Sequence, residues 1–168
     1  NRRTFLKNSL LSTAALALLP ACKSTKVSRK TAVSQARVLG ANETIRVAVV
    51  GFGGRGQDHI DGFRKLPNVR LAALCDADRS ILDKEVRKAT DKGEDVQGFT
   101  DIRELLERGK VDVVSIATPN HWHSLGAIWA VQAGKDVYVE KPVSHNVFEG
   151  RKLVGAAQKY GRIVQAGT

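Results

Sequence analysis

Cysteine is scarce in this sequence: Cys22 and Cys75 are the only two among 168 residues. Two cysteines cannot build the disulfide framework that stabilises many small secreted domains. Cys75 ends an apolar run, so we predict that it is a small buried hydrophobic residue. Neither cysteine belongs to a pattern with the ligand spacing of a zinc site. The sequence therefore indicates a fold that depends on its hydrophobic core.

Apolar runs long enough to cross a membrane are also lacking. The apolar stretch at residues 10–19 spans about ten residues, whereas a transmembrane helix needs roughly 20. It follows a twin-arginine opening, Arg2-Arg3, and precedes Ala21 and Cys22. A charged opening, a short apolar region and a small residue at the cleavage point are the parts of a secretory signal. A buried core helix is the alternative, which the basic flank disfavours.

Residues 1–22 are similar to a Tat-type export signal, because RRTFLK resembles its twin-arginine motif. The string LPAC resembles a lipobox, which would make Cys22 the lipidated first residue of a lipoprotein. Residues 23–42, rich in Ser, Thr, Lys and Arg, are predicted to be a linker. We therefore expect a periplasmic or otherwise exported protein, which contacts the membrane only through a lipid anchor at Cys22.

Acidic residues are absent from the first forty positions, which hold eight of the 27 Lys and Arg. The remaining chain carries 19 basic and 17 acidic residues, so its net charge is only +2 of the total +10. The basic excess belongs mostly to the leader and linker, and no basic stripe is left for the folded part. A nucleic-acid partner is therefore not expected.

Residues 43–168 alternate strand and helix patterns and are predicted to form one domain. The predicted strands are 45–50, 69–75, 96–99, 111–117, 137–139 and 163–165. The predicted helices are 55–66, 79–92, a short one capped by Asp101 and running to Arg108, 121–133 and 146–160. The strands are apolar and β-branched, which is typical of strands buried on both faces. The pattern predicts an α/β fold with a doubly wound parallel sheet covered by helices.

The string GFGGRG, which starts at Gly51, matches the G-x-G-x-x-G fingerprint of dinucleotide-binding Rossmann domains, between a strand and a helix. The predicted cofactor-binding residues here are Gly51, Phe52, Gly53, Gly54, Arg55 and Gly56. The first glycine permits the tight turn, and the second lets the backbone approach a pyrophosphate. The third lets the helix pack on the strand, while the helix N-terminus receives the anion. A plain glycine-rich turn is the alternative.

Asp76 lies twenty residues after Gly56, at the end of the second predicted strand. A carboxylate at this place accepts hydrogen bonds from the ribose hydroxyls of a dinucleotide. It would repel a 2′-phosphate, so NAD is favoured over NADP, although Arg79 would soften that preference. The alternative is that Asp76 serves only the turn or the next helix, a task for which Asp78 competes.

Two further strings follow predicted strands, ATPNHWH from Ala117 and EKP from Glu140. Ligands of open α/β sheets bind outside the carboxyl ends of the strands, so both strings should face the nicotinamide half of a cofactor. A metal site built on His121 and His123 is disfavoured, since no further ligands stand at suitable spacing. Lys141 is either a solvated lysine or a group that donates to a substrate hydroxyl or takes its proton.

These strings together resemble the Gfo/Idh/MocA family of oxidoreductases, over about residues 45–168. The resemblance implies that Lys141 is catalytic and contacts the reacting hydroxyl. It also implies that the cofactor is lined by Thr118, Pro119, Asn120, His123, Glu140 and Lys141. In that family a mostly antiparallel domain follows, which binds substrate and mediates oligomers. We therefore expect an α+β substrate domain beyond Thr168, and a homo-oligomer.

The resemblance implies hydride transfer between NAD(P) and a sugar, polyol or related hydroxyl compound. One alternative is a redox-neutral, NAD-dependent glycosidase that retains its cofactor. Another arrangement is a paired oxidation and reduction that recycles one bound cofactor. This arrangement and the glycosidase both suit an exported protein, because the periplasm has little free NAD. A second alternative is a tethered nucleotide- or sugar-binding protein without catalysis. The present chain alone is expected to be inactive.

Overall fold

The computed structural model describes residues 43–168. The predicted signal, the linker and a lipid anchor at Cys22 therefore lie outside the described residues. The strands are β1 Ile45–Val50, β2 Val69–Cys75, β3 Gln97–Phe99, β4 Val113–Ile116, β5 Asp136–Val139 and β6 Val164–Ala166. The helices are α1 Gly56–Arg64, α2 Arg79–Asp91, α3 Ile102–Arg108, α4 His123–Gln132 and α5 Val147–Tyr160. A short 3₁₀ helix, Asn120–Trp122, precedes α4.

All six strands are parallel and lie in the order β3-β2-β1-β4-β5-β6. This is the strand order of a Rossmann domain, in which the strand order reverses between β1 and β4. The predicted α/β doubly wound sheet is confirmed. In the register, Val50 pairs with both Cys75 and Ile116, and Ile116 pairs with Val139. The residues that follow these four strands therefore emerge at one edge of the sheet.

Both faces of the sheet are buried, which explains the continuous apolar runs of its central strands. On one face, Val49 and Leu74 pack with Ile60 of α1 and Leu82 of α2. On the other face lies a larger cluster that includes residues of α3, α4 and α5. Cys75 belongs to this second cluster and is 3% exposed, as predicted.

Most predicted elements differ from the observed ones by one or two residues at an end, and two of these differences have a clear physical reason. The helix expected from residue 121 begins as a 3₁₀ turn, and its α-helical part starts at His123. The fourth strand is Val113–Ile116, although Val111, predicted to start it, is also fully buried. Within residues 43–168, no helix is long and apolar enough to cross a membrane.

Candidate functional site

Two cavities lie at the carboxyl edge of the sheet. The larger cavity has a volume of about 800 Å³ and is lined by the glycine loop, Asp76, residues 100–103 at the start of α3, and the side of the sheet edge that carries Trp122 and Trp129. The smaller cavity has a volume of about 420 Å³ and is lined by Arg55, Ala117, Thr118, Asn120, His123, Glu140, Lys141 and Thr168. Ala117 and Thr118 line both. The two cavities therefore adjoin along the loop that follows β4.

The predicted site residues divide between these cavities. Gly51, Gly53, Gly54, Asp76, Thr118 and Pro119 line the larger one. Arg55, Thr118, Asn120, His123, Glu140 and Lys141 line the smaller one. Phe52 and Gly56 are buried and line neither. Phe52 is 1% exposed, and its ring packs in the core between the sheet and α1. It therefore contributes only its main chain to the glycine loop.

The glycine loop has the backbone features that its sequence predicts. Gly51 adopts a φ of +77°, and a Cβ there would lie 2.8 Å from the main chain of Thr118. A Cβ on Gly56 would lie 2.1 Å from the carbonyl oxygen of Gly51, so α1 packs against the end of β1 as only glycine allows. Gly53 and Gly54 are exposed toward the larger cavity. The loop thus presents bare backbone at the start of a helix.

The N-terminus of α1 carries no side-chain cap. In contrast, α2, α3 and α5 are capped by the side chains of Asp78, Asp101 and Asn146. The N–H groups of Gln57 and Asp58 donate to the carbonyl oxygens of Gly54 and Arg55. The capacity of this terminus to bind a phosphate group therefore rests on the positive end of the helix dipole and on the bare backbone of the glycine loop.

Asp76 uses its carboxylate to order the adjoining turns. Its Oδ2 accepts from the Phe52 N–H at 2.9 Å, and its Oδ1 accepts from the Asp78 N–H at 3.0 Å. An ionised carboxylate has about four lone-pair positions, so two remain for a ligand. Asp78 caps α2 instead, by accepting from the N–H groups of Ser80 and Ile81. Asp78 is thus the cap of α2, while Asp76 orders the turns after β1 and β2 and keeps lone pairs for a ligand.

Thr118 stands on the boundary between the two cavities. Its Oγ1 is buried and has no hydrogen-bond partner among the described residues. A buried hydroxyl without a partner costs about 1–3 kcal/mol, so such a group in a cavity wall is suited to meet a ligand.

His123 is 2% exposed, and both nitrogens of its ring contact main-chain oxygens. Nδ1 lies 2.8 Å from the carbonyl oxygen of Pro142, and Nε2 lies 2.7 Å from that of Thr118. Ser124 adds a bond from its Oγ to the carbonyl oxygen of Val143 at 3.0 Å. The start of α4 therefore joins the loop after β4 to the loop after β5. The ring of His123 acts chiefly as a bridge between these loops.

Glu140 and Lys141 have opposite environments. Lys141 is exposed at the smaller cavity, and no carboxylate within residues 43–168 pairs with its ammonium group. Glu140 is 6% exposed. Burial alone would raise the pKa of Glu140, but hydrogen bonds from His59, the Lys141 N–H and Arg55 outweigh it and hold that pKa below its usual value. Two neighbouring residues of this loop thus differ: Glu140 is a buried, hydrogen-bonded anion, and Lys141 is an exposed cation.

Sequence reasoning missed two features of the site. His59 of α1 contacts both Ser115 and Glu140, at 2.9 Å each. At the far end of the larger cavity, Arg103 lies 5.8 Å from the ring centre of Trp129 and 3.2 Å or less from the Asp101 carboxylate. The contacts of His59 and the contact between Arg103 and Trp129 join residues 26 to 81 positions apart, so no local sequence pattern reports them. The string HWH at residues 121–123 was the one hint of the aromatic side of this cavity, because its Trp122 lies beside Trp129.

The site fits a dinucleotide. A carboxylate with free lone pairs lines the larger cavity, a lysine lines the smaller one, and a hydroxyl without a partner among the described residues lines both. The uncapped start of α1 follows the glycine loop at the same edge. Within the described residues, no group of three or more His, Cys, Asp or Glu side chains is placed to hold a metal ion.

Comparison with known proteins agrees with this geometry. Residues 45–168 match the family model GFO_IDH_MocA, described as an oxidoreductase family with an NAD-binding Rossmann fold. The chain belongs to this family. Its domain is accordingly an NAD-binding Rossmann domain, of the family type expected from the TPN and EKP strings.

Curated relatives include glycosyl hydrolase family 109 proteins. The one from Shewanella pealeana is 32% identical over 95% of this chain and 37% of its own length. The one from Saccharopolyspora erythraea is 35% identical over 73% of this chain and 28% of its own length. The match thus covers 37% of the length of the first relative and 28% of the second.

Solved structures share the fold. An NAD-binding oxidoreductase from Klebsiella pneumoniae matches with a TM-score of 0.64 and 33% identity, over 74% of this chain and 34% of that one. The WlbA dehydrogenase from Chromobacterium violaceum, solved with NADH and UDP-GlcNAcA, matches with a TM-score of 0.70 and 26% identity. That match covers 76% of this chain and 36% of that structure.

Proposed function

We propose that the whole protein is an NAD-dependent oxidoreductase that acts on a hydroxyl group of a sugar, polyol or related compound. The observation that carries this proposal is the exposed Lys141, which lines the smaller cavity beside the larger one and has no carboxylate partner within residues 43–168. The family membership and the sugar-nucleotide dehydrogenase among the structural relatives support it.

Each half of the site has its own task in this proposal. Asp76 accepts hydrogen bonds from the ribose on the adenosine side, and the N-terminus of α1 binds the pyrophosphate. The aromatic end of the larger cavity, with Trp122 and Trp129, receives the adenine. Thr118 and Asn120 then face the nicotinamide side in the smaller cavity.

The bound cofactor supplies the hydride acceptor, and the protein manages orientation and the proton. The amine form of Lys141 takes the proton of the substrate hydroxyl as the carbonyl forms, and the ammonium that results donates a hydrogen bond to the carbonyl oxygen. Glu140 stays ionised beneath it and fixes the main chain from which the lysine extends.

A redox-neutral glycosidase is the second candidate, and the glycosyl hydrolase family 109 relatives favour it. Transient oxidation at a sugar carbon acidifies the neighbouring C–H, which permits elimination of the glycosidic group. The cofactor returns to its starting state in each cycle. The same NAD-binding domain serves both reactions, so product analysis has to separate them.

The experiment uses the whole protein, purified and desalted, with bound cofactor measured after denaturation. Polyols, free sugars and nitrophenyl glycosides are then supplied with and without added NAD. Net NADH formation identifies the oxidoreductase, while nitrophenol release at constant NADH identifies the glycosidase. Absence of both reactions, and of any oxidised product when a second sugar is supplied as hydride acceptor, would leave the non-catalytic binding protein as the correct assignment. A Lys141→Ala variant that binds NAD normally but loses turnover would place the lysine in catalysis rather than in binding.

We further propose that residues 1–22 direct Tat export, with Cys22 as a lipid attachment site, and that the whole protein forms a homo-oligomer. The twin-arginine motif and the lipobox-like string support the first two. An exported enzyme of this kind should retain its cofactor through purification. Loss of all NAD on desalting, with turnover only on added NAD, would contradict that retention.

A further inference from the structure

A buried chain of polar groups lies behind Lys141, and its centre is His59. The side chain of His59 is 8% exposed, and Ser115 is fully buried. The His59 ring lies between two partners: Nδ1 is 2.9 Å from Ser115 Oγ, and Nε2 is 2.9 Å from Glu140 Oε1. The ring also meets Tyr138 edge-on, with 5.4 Å between ring centres. His59 is therefore held in one orientation by contacts on three sides.

The hydrogen-bond roles follow from the chemistry of the partners. An ionised carboxylate only accepts, so Nε2–H of His59 donates to Glu140. The Ser115 hydroxyl can then donate to Nδ1. The second oxygen of Glu140, Oε2, accepts from the main-chain N–H of Lys141 at 3.2 Å. His59 thus connects α1 and β4 to the backbone of the residue that enters the smaller cavity.

The other groups that face Glu140 contribute less. Arg55 lies 3.5 Å from Oε1, and its own side chain is 61% exposed, so solvent screens that ion pair. The closer partner of Arg55 is Asp58, at 2.8 Å. His59 is the buried partner at full hydrogen-bond distance. Its bond is among those that hold the pKa of Glu140 below its usual value against the opposing effect of burial.

We propose that His59 is a positioning residue, which orients Glu140 and through it the main chain from which Lys141 acts. The inference rests on the proposed role of Lys141. It assigns to α1, the helix whose N-terminus binds the cofactor, a second task at the reacting end of the site.

Two amide variants of His59 separate its two contacts. Gln places an amide N–H near the position of Nε2, whereas Asn reaches only the position of Nδ1. His59→Gln should keep the bond to Glu140 and most of the wild-type kcat. His59→Asn should keep the contact to Ser115 and lower kcat by between about tenfold and a hundredfold, because small displacements of a reacting group are costly. The KM for NAD should change much less in both.

Ser115→Ala is the matched control, because it removes the other contact of the same ring. If His59 acts by positioning Glu140, the Ser115→Ala variant should keep most of the wild-type kcat. A purely structural role, in which His59 only joins α1 to β4, predicts that Ser115→Ala and His59→Asn fail alike while His59→Gln offers no rescue. That pattern would overturn the inference.

A second measurement does not depend on turnover. Lys141 is acetylated with an amine-reactive ester, with and without NAD, and followed by peptide mass spectrometry. NAD should protect Lys141 in the wild type and in His59→Gln, and protect it much less in His59→Asn at saturating NAD. Equal protection in both variants would overturn the inference alone. No turnover and no protection in the wild type would overturn the proposed function as well.

If His59→Asn does not fold, Glu140→Gln tests the same link from the other side. Its amide can accept from His59 through one atom but cannot also accept from the Lys141 N–H through the other. The expected loss of kcat and of protection is as large as for His59→Asn, and wild-type behaviour would contradict the inference.

Discussion

Gly51 and Thr118 are in such close contact that a Cβ on Gly51 would lie 2.8 Å from the Cα and the N of Thr118. The carboxyl ends of β1 and β4 thus approach each other at the point where the strand order of the sheet reverses. This approach brings the glycine loop next to the loop that divides the two cavities.

Substitution of Gly51 by alanine should therefore destabilise the protein. Alanine meets both the positive φ of 77° and the contact with Thr118. Each effect costs about 1–3 kcal/mol, so we expect the free energy of unfolding to fall by about 3 kcal/mol. Gly54→Ala is the control, because a Cβ there meets no atom within 4 Å. Chemical denaturation of both variants measures the difference, and equal stability would contradict this account of the loop.

Asp76 should set the preference between the two nicotinamide cofactors. Asp76→Asn keeps one acceptor oxygen but removes the charge that repels a 2′-phosphate. Since like charges in contact cost several kcal/mol, the ratio of NADP to NAD affinity should rise by at least about tenfold. Asp83→Asn removes the same charge from an exposed position on α2 and serves as the control. Titration with both cofactors decides, and an unchanged ratio for Asp76→Asn would show that the discrimination lies elsewhere.

Most of the fold could be predicted because each element carries its own local pattern. The ends of β1 and β2 agree with the structure to the residue, since glycine and aspartate follow unbroken apolar runs. The fourth strand was predicted too long. An apolar pattern indicates burial rather than strand pairing, and Val111 is as buried as the residues of the strand although it precedes the strand.

The site was predicted in its outline and less well in its details. Motifs identified the loops, because each follows a strand whose position in the sheet is fixed. They did not reveal that His59 reaches Glu140, 81 positions away, since such contacts depend on how α1 packs. The fingerprint also included Phe52 by position alone, whereas its ring lies in the core.

Cys75 should be inert toward thiol reagents while the protein is folded. Burial, and next the charge of Asp76, raise the pKa of the Cys75 thiol to about 12. At pH 8 the thiolate fraction is then on the order of 10⁻⁴, and the thiolate is the species that reacts. Alkylation of the Cys75 peptide, followed by mass spectrometry, should be slow in the native protein and fast in denaturant. Rapid native alkylation would contradict the burial of this residue.

Glu140 should make the protein more sensitive to acid. Because its pKa in the folded state lies below the usual 4.5, its contacts stabilise the fold above that pH, and this stabilisation is lost as pH falls through the folded pKa. Glu140→Gln should therefore be less stable than the wild type at neutral pH, and the gap should close as the pH drops. Denaturation curves at several pH values measure it. A gap that stays constant down to acid pH would exclude a contribution from the charge.

His123 offers a test of whether the histidine after the TPN string contacts the cofactor or joins two loops. Because both ring nitrogens lie within 2.8 Å of carbonyl oxygens, no amide side chain replaces both contacts. His123→Gln should lose at least one of the two ring contacts that join these loops and lower the free energy of unfolding of the cofactor-free protein by about 1–3 kcal/mol. NAD affinity should fall as well, because the loops that line the smaller cavity lose their link. A residue that only contacted the cofactor would lower affinity and leave the stability of the cofactor-free protein unchanged. His121→Gln, at an exposed position in the same string, is the control and should change neither quantity.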